Sequence, residues 1–239
     1  MAASSIQTES NKAVLTWEQV FYAGAIVCAV VLRFSNLGVV PLSPDEGENA
    51  WGVWQFWQPE SAERIPEVSS AAWFSLTALV TQITGYTDLI MRLFPALAGV
   101  LTIVAIAKLR PLTGRLGAII AAFIVAISPL LVSTSRMADG HSLAVLALVM
   151  CVGLLLQWQN GGTDRTLLWL AGWLGFGLAT SPVFYSGIVA FGLAWLLQIT
   201  VGPNVLDSLS VPEGDSRRRA IITFVAVLAL SATMFLLNP

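Results

Sequence analysis

Arg33-Phe-Ser-Asn-Leu-Gly-Val-Val-Pro-Leu-Ser-Pro-Asp-Glu-Gly-Glu-Asn-Ala-Trp51 is the stretch that decides the fold of this 239-residue chain. It follows directly on an apolar run, Val14 to Leu32, of the length that crosses a bilayer. Asp45, Glu46 and Glu48 then fall beside that run. A charged side chain at a bilayer centre costs roughly 2.5–3.5 kcal/mol on insertion scales, so three carboxylates together do not sit there. They belong in a loop at the membrane surface, held near hydrocarbon by the interfacial indoles of Trp51, Trp54 and Trp57.

Composition agrees with a chain of several spans. It is 56% hydrophobic and 11% charged, with mean hydropathy +0.77, whereas a soluble domain carries about 25% charged residues. The net charge of −2 says little, because the distribution of charge matters more than its sum, and no nucleic-acid partner is expected. Cys28 and Cys151 both lie inside apolar runs and read as packing residues, which sets aside disulfides and thiolate metal sites. The polar residues 1–13 read as a disordered cytoplasmic N-terminus. No small-residue cleavage site closes the first run, so it is an uncleaved anchor.

Seven apolar segments have spanning or near-spanning length: Val14–Leu32, Leu93–Leu109, Leu116–Val132, Leu143–Trp158, Leu167–Ala179, Val183–Val201 and Ala220–Leu237. Ala71–Gly85 is shorter and carries Ser75, Thr77, Thr81, Gln82 and Thr84, so it reads as interfacial or re-entrant. Charge asymmetry tests this count. With seven spans and a cytoplasmic N-terminus, Lys12, Lys108, Arg110, Arg115, Arg165 and Arg217 to Arg219 all lie inside. Only Arg33, Arg64, Arg92 and Arg136 lie outside, among eight acidic residues. An eighth span would move two basic clusters across the membrane. The expected fold is therefore an all-α polytopic transmembrane helix bundle. Residues 14–239 form one membrane domain, with 33–92 as a first external loop containing interfacial helices and 133–142 as a second. Asp139 in that second loop then shares a face with Asp45 and Glu46. The last run ends Met-Phe-Leu-Leu-Asn-Pro239 without a polar tail, which reads as the N-terminal part of a longer protein.

The first loop, with an Arg closing the first span, a proline-containing link, Asp-Glu and an aromatic helix, resembles that of GT-C glycosyltransferases. Two further stretches continue the resemblance: Thr84-Gly-Tyr-Thr-Asp-Leu-Ile-Met-Arg-Leu-Phe-Pro-Ala-Leu-Ala-Gly99 and Ser128-Pro-Leu-Leu-Val-Ser-Thr-Ser-Arg-Met-Ala-Asp139. Together they cover about Arg33 to Leu148, in the order seen in the branch containing protein O-mannosyltransferases and lipid A aminoarabinose transferases. The resemblance implies a plasma-membrane enzyme moving a sugar from a polyprenyl-phosphate carrier to a hydroxyl or amine of an acceptor glycan, lipid or protein on the extracytoplasmic face. It implies Asp45 as general base, with Glu46 and Asp139 orienting the acceptor or the sugar. A carboxylate beside apolar surface is desolvated and becomes a better base near neutral pH.

Arg64, Arg92 and Arg136 are the external arginines able to hold the donor phosphate through bidentate hydrogen bonds, with interfacial snorkelling as the competing reading. His141, the single histidine, follows Asp139 by two residues and is either a site partner or an incidental loop residue. No cofactor is expected, and a divalent metal on Asp45, Glu46, Asp139 and His141 is left open. Where relatives carry a Lys- or His-containing proline motif, this chain reads Glu60-Ser-Ala-Glu-Arg-Ile-Pro-Glu-Val-Ser-Ser70, with Arg64 its one cation. That departure keeps an alternative in view, a non-catalytic membrane subunit of a larger complex. A transporter ranks last, because the spans hold almost no ionisable groups at mid-depth.

Overall fold

The computed structural model describes residues 16–58, 68–201 and 214–233, with the side chains of 198–201 outside the description. The N-terminal tail, the C-terminal residues and Arg64 lie outside the described residues. Among these residues the fold is all-α, a membrane helix bundle. Its helices are α1 Trp17–Phe34, α2 Pro44–Phe56, α3 Ala71–Thr84, α4 Asp88–Lys108, α5 Arg110–Thr113, α6 Arg115–Ile127, α7 Pro129–Thr134, α8 His141–Gln159, α9 Asp164–Leu178, α10 Pro182–Val201 and α11 Gly214–Ala232. Three of them, α1, α4 and α8, are long and apolar enough to cross a membrane by length and composition. The other apolar runs also become helices. Side-chain oxygens start several of them: Thr16, Ser43, Ser70 and Thr87 each accept an N–H from the first turn of the helix that follows, an interaction typically worth about 1 kcal/mol.

The segment Leu116–Val132 is not one helix, as its hydropathy suggests, but two. Ser128 takes an extended conformation (φ −56°, ψ 119°) and Pro129 starts α7, because proline lacks an N–H and disfavours the α conformation in the residue before it. Three prolines pose the same problem in this bundle, and each is solved by a side-chain donor. Pro95 lies inside α4 and leaves the Met91 carbonyl unbonded; the Trp73 indole donates to it at 3.0 Å. Pro129 frees the Val125 carbonyl, which accepts from Arg33 Nη2 at 2.9 Å. Pro182 frees the Leu178 carbonyl, which accepts from the Tyr185 hydroxyl at 2.6 Å. In hydrocarbon an unpaired carbonyl has no water to turn to, so each donor satisfies an acceptor that its proline leaves open. Arg33 is fully buried, and a Cβ at Gly99 would collide with its side chain.

Helix α4 is the hub, packing on α1, α3, α6 and α8, while α8 continues to α9 and α10, and α9 to α11. The bundle has two distinct ends. At one, Glu18 on α1 pairs with Arg110 and Arg115 beside α5 and α6 (2.9 and 3.2 Å). At the other lie the ends of α1, α6 and α9 and the starts of α2, α4, α8 and α10. Helix α3 stays at this second end: Ala72 N–H donates to Ala179 O (2.8 Å), Ser75 Oγ to Ser231 O (3.0 Å), and Trp57 Nε1 to Ala78 O (3.2 Å).

Candidate functional site

The sequence Ser43-Pro-Asp-Glu46 starts α2 as a capping box. The Glu46 carboxylate returns to the Ser43 N–H (2.9 Å) while Ser43 Oγ accepts from the Glu46 N–H (3.4 Å). The same carboxylate, 4% exposed, reaches two distant parts of the chain. Arg92 grips it in bidentate fashion, Nε to Oε1 at 2.7 Å and Nη2 to Oε2 at 2.8 Å. Ala138 N–H donates to Oε1 at 2.8 Å across 92 positions of sequence. One helical turn on, Asn49 Nδ2 donates to the Ala138 carbonyl (3.0 Å) and its Oδ1 accepts from Ser69 N–H (3.0 Å). Glu46 and Asn49 therefore clamp the segment carrying Asp139 onto α2.

Burial pushes the Glu46 carboxyl up, but the Arg92 hydrogen bonds, the Ser43 and Ala138 N–H groups and the Arg92 charge outweigh it. The result is a pKa of about 2. Glu46 is locked in its ionised form and is a poor proton acceptor. Arg92 is equally committed. Its remaining N–H groups go to Leu37 O (3.0 Å), Val40 O (2.7 Å) and Pro41 O (3.1 Å), so all five guanidinium donors are used. The pair also anchors the link from α1 to α2, where Asn36 turns the chain with φ 54°, a conformation asparagine tolerates.

Asp45 sits one position earlier, exposed, with no hydrogen-bond or ion-pair partner among the described residues. Asp139 is 7% exposed. Burial raises its carboxyl above the ordinary value, against the His141 N–H, the His141 ring and its hydrogen bond, while the nearby Glu46 charge pushes the same way as burial. His141 N–H donates to Oδ1 at 2.9 Å. Its ring Nδ1 lies 2.7 Å from Oδ2, a contact that is an ion pair only when the ring is protonated. Arg136 donates one N–H to Leu32 O at the end of α1 (2.7 Å) and is partly exposed. Gly140 closes the segment where Ser70 and the Thr180 carbonyl meet it, since a Cβ there would strike both. Of the sequence-predicted residues, the fold thus brings together Glu46, Arg92, Asp139 and His141, with Asp45 at the edge and Arg136 on the adjoining end of α1. Asn49 and Ser43 were missed as positioning residues; the S-x-x-E spacing was a readable sign of the latter.

Among the described residues no three His, Cys, Asp or Glu side chains converge to hold a metal ion. A separate cavity of about 360 Å³ between α8, α9 and α10 is lined by groups such as Leu155, Trp158, Leu170 and Phe191, without a carboxylate or cation.

The profile of the dolichyl-phosphate-mannose-protein mannosyltransferase family matches residues 70–209, more than half of the chain. The match spans Arg92, Arg136, Asp139 and His141 and begins after Asp45 and Glu46. No significant match to a curated protein or to a solved structure is found. The chain belongs to this GT-C family of membrane glycosyltransferases, which use polyprenyl-phosphate sugar donors.

Proposed function

Starting from membership of that family, we propose that the chain transfers a sugar from a polyprenyl-phosphate donor to an acceptor hydroxyl on the extracytoplasmic face, with Asp45 as general base. The acceptor oxygen attacks the anomeric carbon, the bond from that carbon to the phosphate oxygen breaks, and the acceptor proton passes to Asp45. The polyprenyl phosphate leaves as a stable anion, so little general-acid assistance is required.

The observation that carries the reading is the division of labour between adjacent carboxylates. Glu46 is ionised, buried and held by four donors, whereas its neighbour Asp45 is exposed and unpartnered among the described residues. A rigid α2 N-terminus is what a base needs to be held in place. Asp139, docked beside Glu46 and paired with His141, supports the sugar or acceptor. With all Arg92 donors in use, donor-phosphate binding is assigned to Arg136 and Arg64, and Arg92 acts by holding Glu46.

The test is transfer from radiolabelled dolichyl-phosphate mannose in membranes containing the full-length protein. Asp45→Asn is expected to abolish transfer while the amount of protein in the membrane is unchanged. Undiminished transfer would refute the assignment of Asp45 and favour the second reading, a non-catalytic subunit, for which the full commitment of Arg92 to protein acceptors is the supporting feature.

A further inference from the structure

The side of α2 that faces the start of α4 carries a groove of about 330 Å³, lined by Leu42, Trp51, Trp54, Tyr86, Asp88 and Met91 among others. Its walls differ from two neighbouring indoles. Trp73 is buried and Trp57 half-buried, and each donates its N–H to a backbone carbonyl. Trp51 and Trp54 instead stack on each other, centroids 4.6 Å apart at 25°, and stay 59% and 38% exposed. Neither indole N–H has a hydrogen-bond partner among the described residues, and the Asp88 carboxylate has no hydrogen bond or contact ion pair there, only the Arg92 charge one turn away. Two flat rings, two free indole donors and a free carboxylate acceptor thus open into one groove of ligand-binding size.

Charge narrows the ligand. No cation lines the groove, and Arg92, one turn below Asp88, has every donor engaged. A phosphate headgroup placed there would meet the Asp88 carboxylate with no free cationic donor beside it, which costs binding energy in a partly desolvated site. A hydrocarbon tail would leave Asp88 and both indole N–H groups unpaired. A neutral pyranose satisfies all of them: its C–H face lies on an indole ring, and its hydroxyls donate to Asp88 and accept from an indole N–H. The helical period places Trp51 and Trp54 away from the α2 face that holds Ala138, and Trp51 stands about 9 Å along the axis from Asp45. We infer that this groove is a carbohydrate-binding subsite, distinct from the carboxylate cluster, that takes a neutral sugar ring.

The measurement is saturation-transfer difference NMR on the full-length protein in phosphatidylcholine nanodiscs, with methyl α-mannopyranoside and methyl β-glucopyranoside as probes. Transfer to ring C–H protons of at least one glycoside is expected, reduced to background by Trp51→Ala and by Asp88→Asn. Trp51→Tyr, which keeps an aromatic face, is expected to retain it, as is Trp17→Ala on the exposed start of α1. Both Trp51 and Asp88 are accessible, and an unchanged thermal midpoint and far-UV helical signal establish that the variants keep their packing. No transfer to either glycoside in the unsubstituted protein, or transfer indifferent to both variants, would overturn the inference. So would quenching of Trp51 and Trp54 by bromo-acyl lipids with no effect of glycoside, the signature of a lipid in the groove. The readout is binding without turnover, so it stands apart from the transfer test on Asp45.

Discussion

Replacing Glu46 by glutamine removes one negative charge from a place where almost no water reaches. The Glu46 side chain is 5% exposed and that of its partner Arg92 6%, and a guanidinium cannot shed its proton to escape the mismatch. Three backbone carbonyls would remain around Arg92, but no carboxylate in contact, only the more distant Asp88 charge. In either orientation the amide nitrogen of glutamine would also face an Arg92 N–H, together with the Ala138 N–H or the Ser43 N–H, donor against donor. Breaking a buried pair by removing one partner costs about 3–5 kcal/mol. At 1.36 kcal/mol per factor of ten, local opening of the clamp should become about two to four orders of magnitude more frequent. The Ala138 amide donates directly to this carboxylate and so reports the opening. Hydrogen exchange by mass spectrometry in nanodiscs should show peptides spanning residues 37–47 and 135–140 exchanging faster in Glu46→Gln, with the Glu18 end of the bundle unchanged. The sign with pH also follows. Glu46 titrates at about 2 in the fold, below its ordinary value, so its stabilisation is complete above the ordinary carboxylate range and fades only as pH falls towards 2. Protection of Ala138 that is equal in both proteins, or that collapses already near pH 5 in the unsubstituted one, would refute the clamp.

Other outcomes follow from the same geometry. Trp73→Phe strands the Met91 carbonyl opposite Pro95; an unsatisfied buried acceptor costs about 1–3 kcal/mol, which should appear as a lower thermal midpoint in detergent, and an unchanged midpoint would contradict the role given to the indole. Asp139→Asn should stabilise the protein at pH 7 and leave it unchanged at pH 3. A carboxyl whose pKa is raised on folding favours the folded state below its ordinary pKa and weakens it once ionised. A less stable asparagine variant at pH 7 would show that the ionised form is preferred.

The helical content was legible because lipid-length apolar runs leave little choice, and the shared end of Asp45, Glu46 and Asp139 was approached through loop charges alone. The break at Ser128-Pro129 was missed because hydropathy sums across a proline that the backbone cannot pass unaltered. The use of Arg92 was not readable either: its five acceptors lie 46 to 55 positions away, and nothing local distinguishes a committed arginine from a free one. Gly99 shows the converse. Its place at the end of a quoted stretch was visible, but its reason, room for the buried Arg33, needed the fold.

Sided cysteine labelling tests the central claim, that the acidic N-terminus of α2 and the segment before α8 share one extracytoplasmic face. In a background with Cys28 and Cys151 changed to serine, Asp45→Cys, Met137→Cys and Arg217→Cys would each be treated with a membrane-impermeant maleimide on intact cells. The account predicts labelling at 45 and 137 from outside, and at 217 only after permeabilisation. Labelling of 45 and 137 from opposite sides, or of both only after permeabilisation, would contradict it.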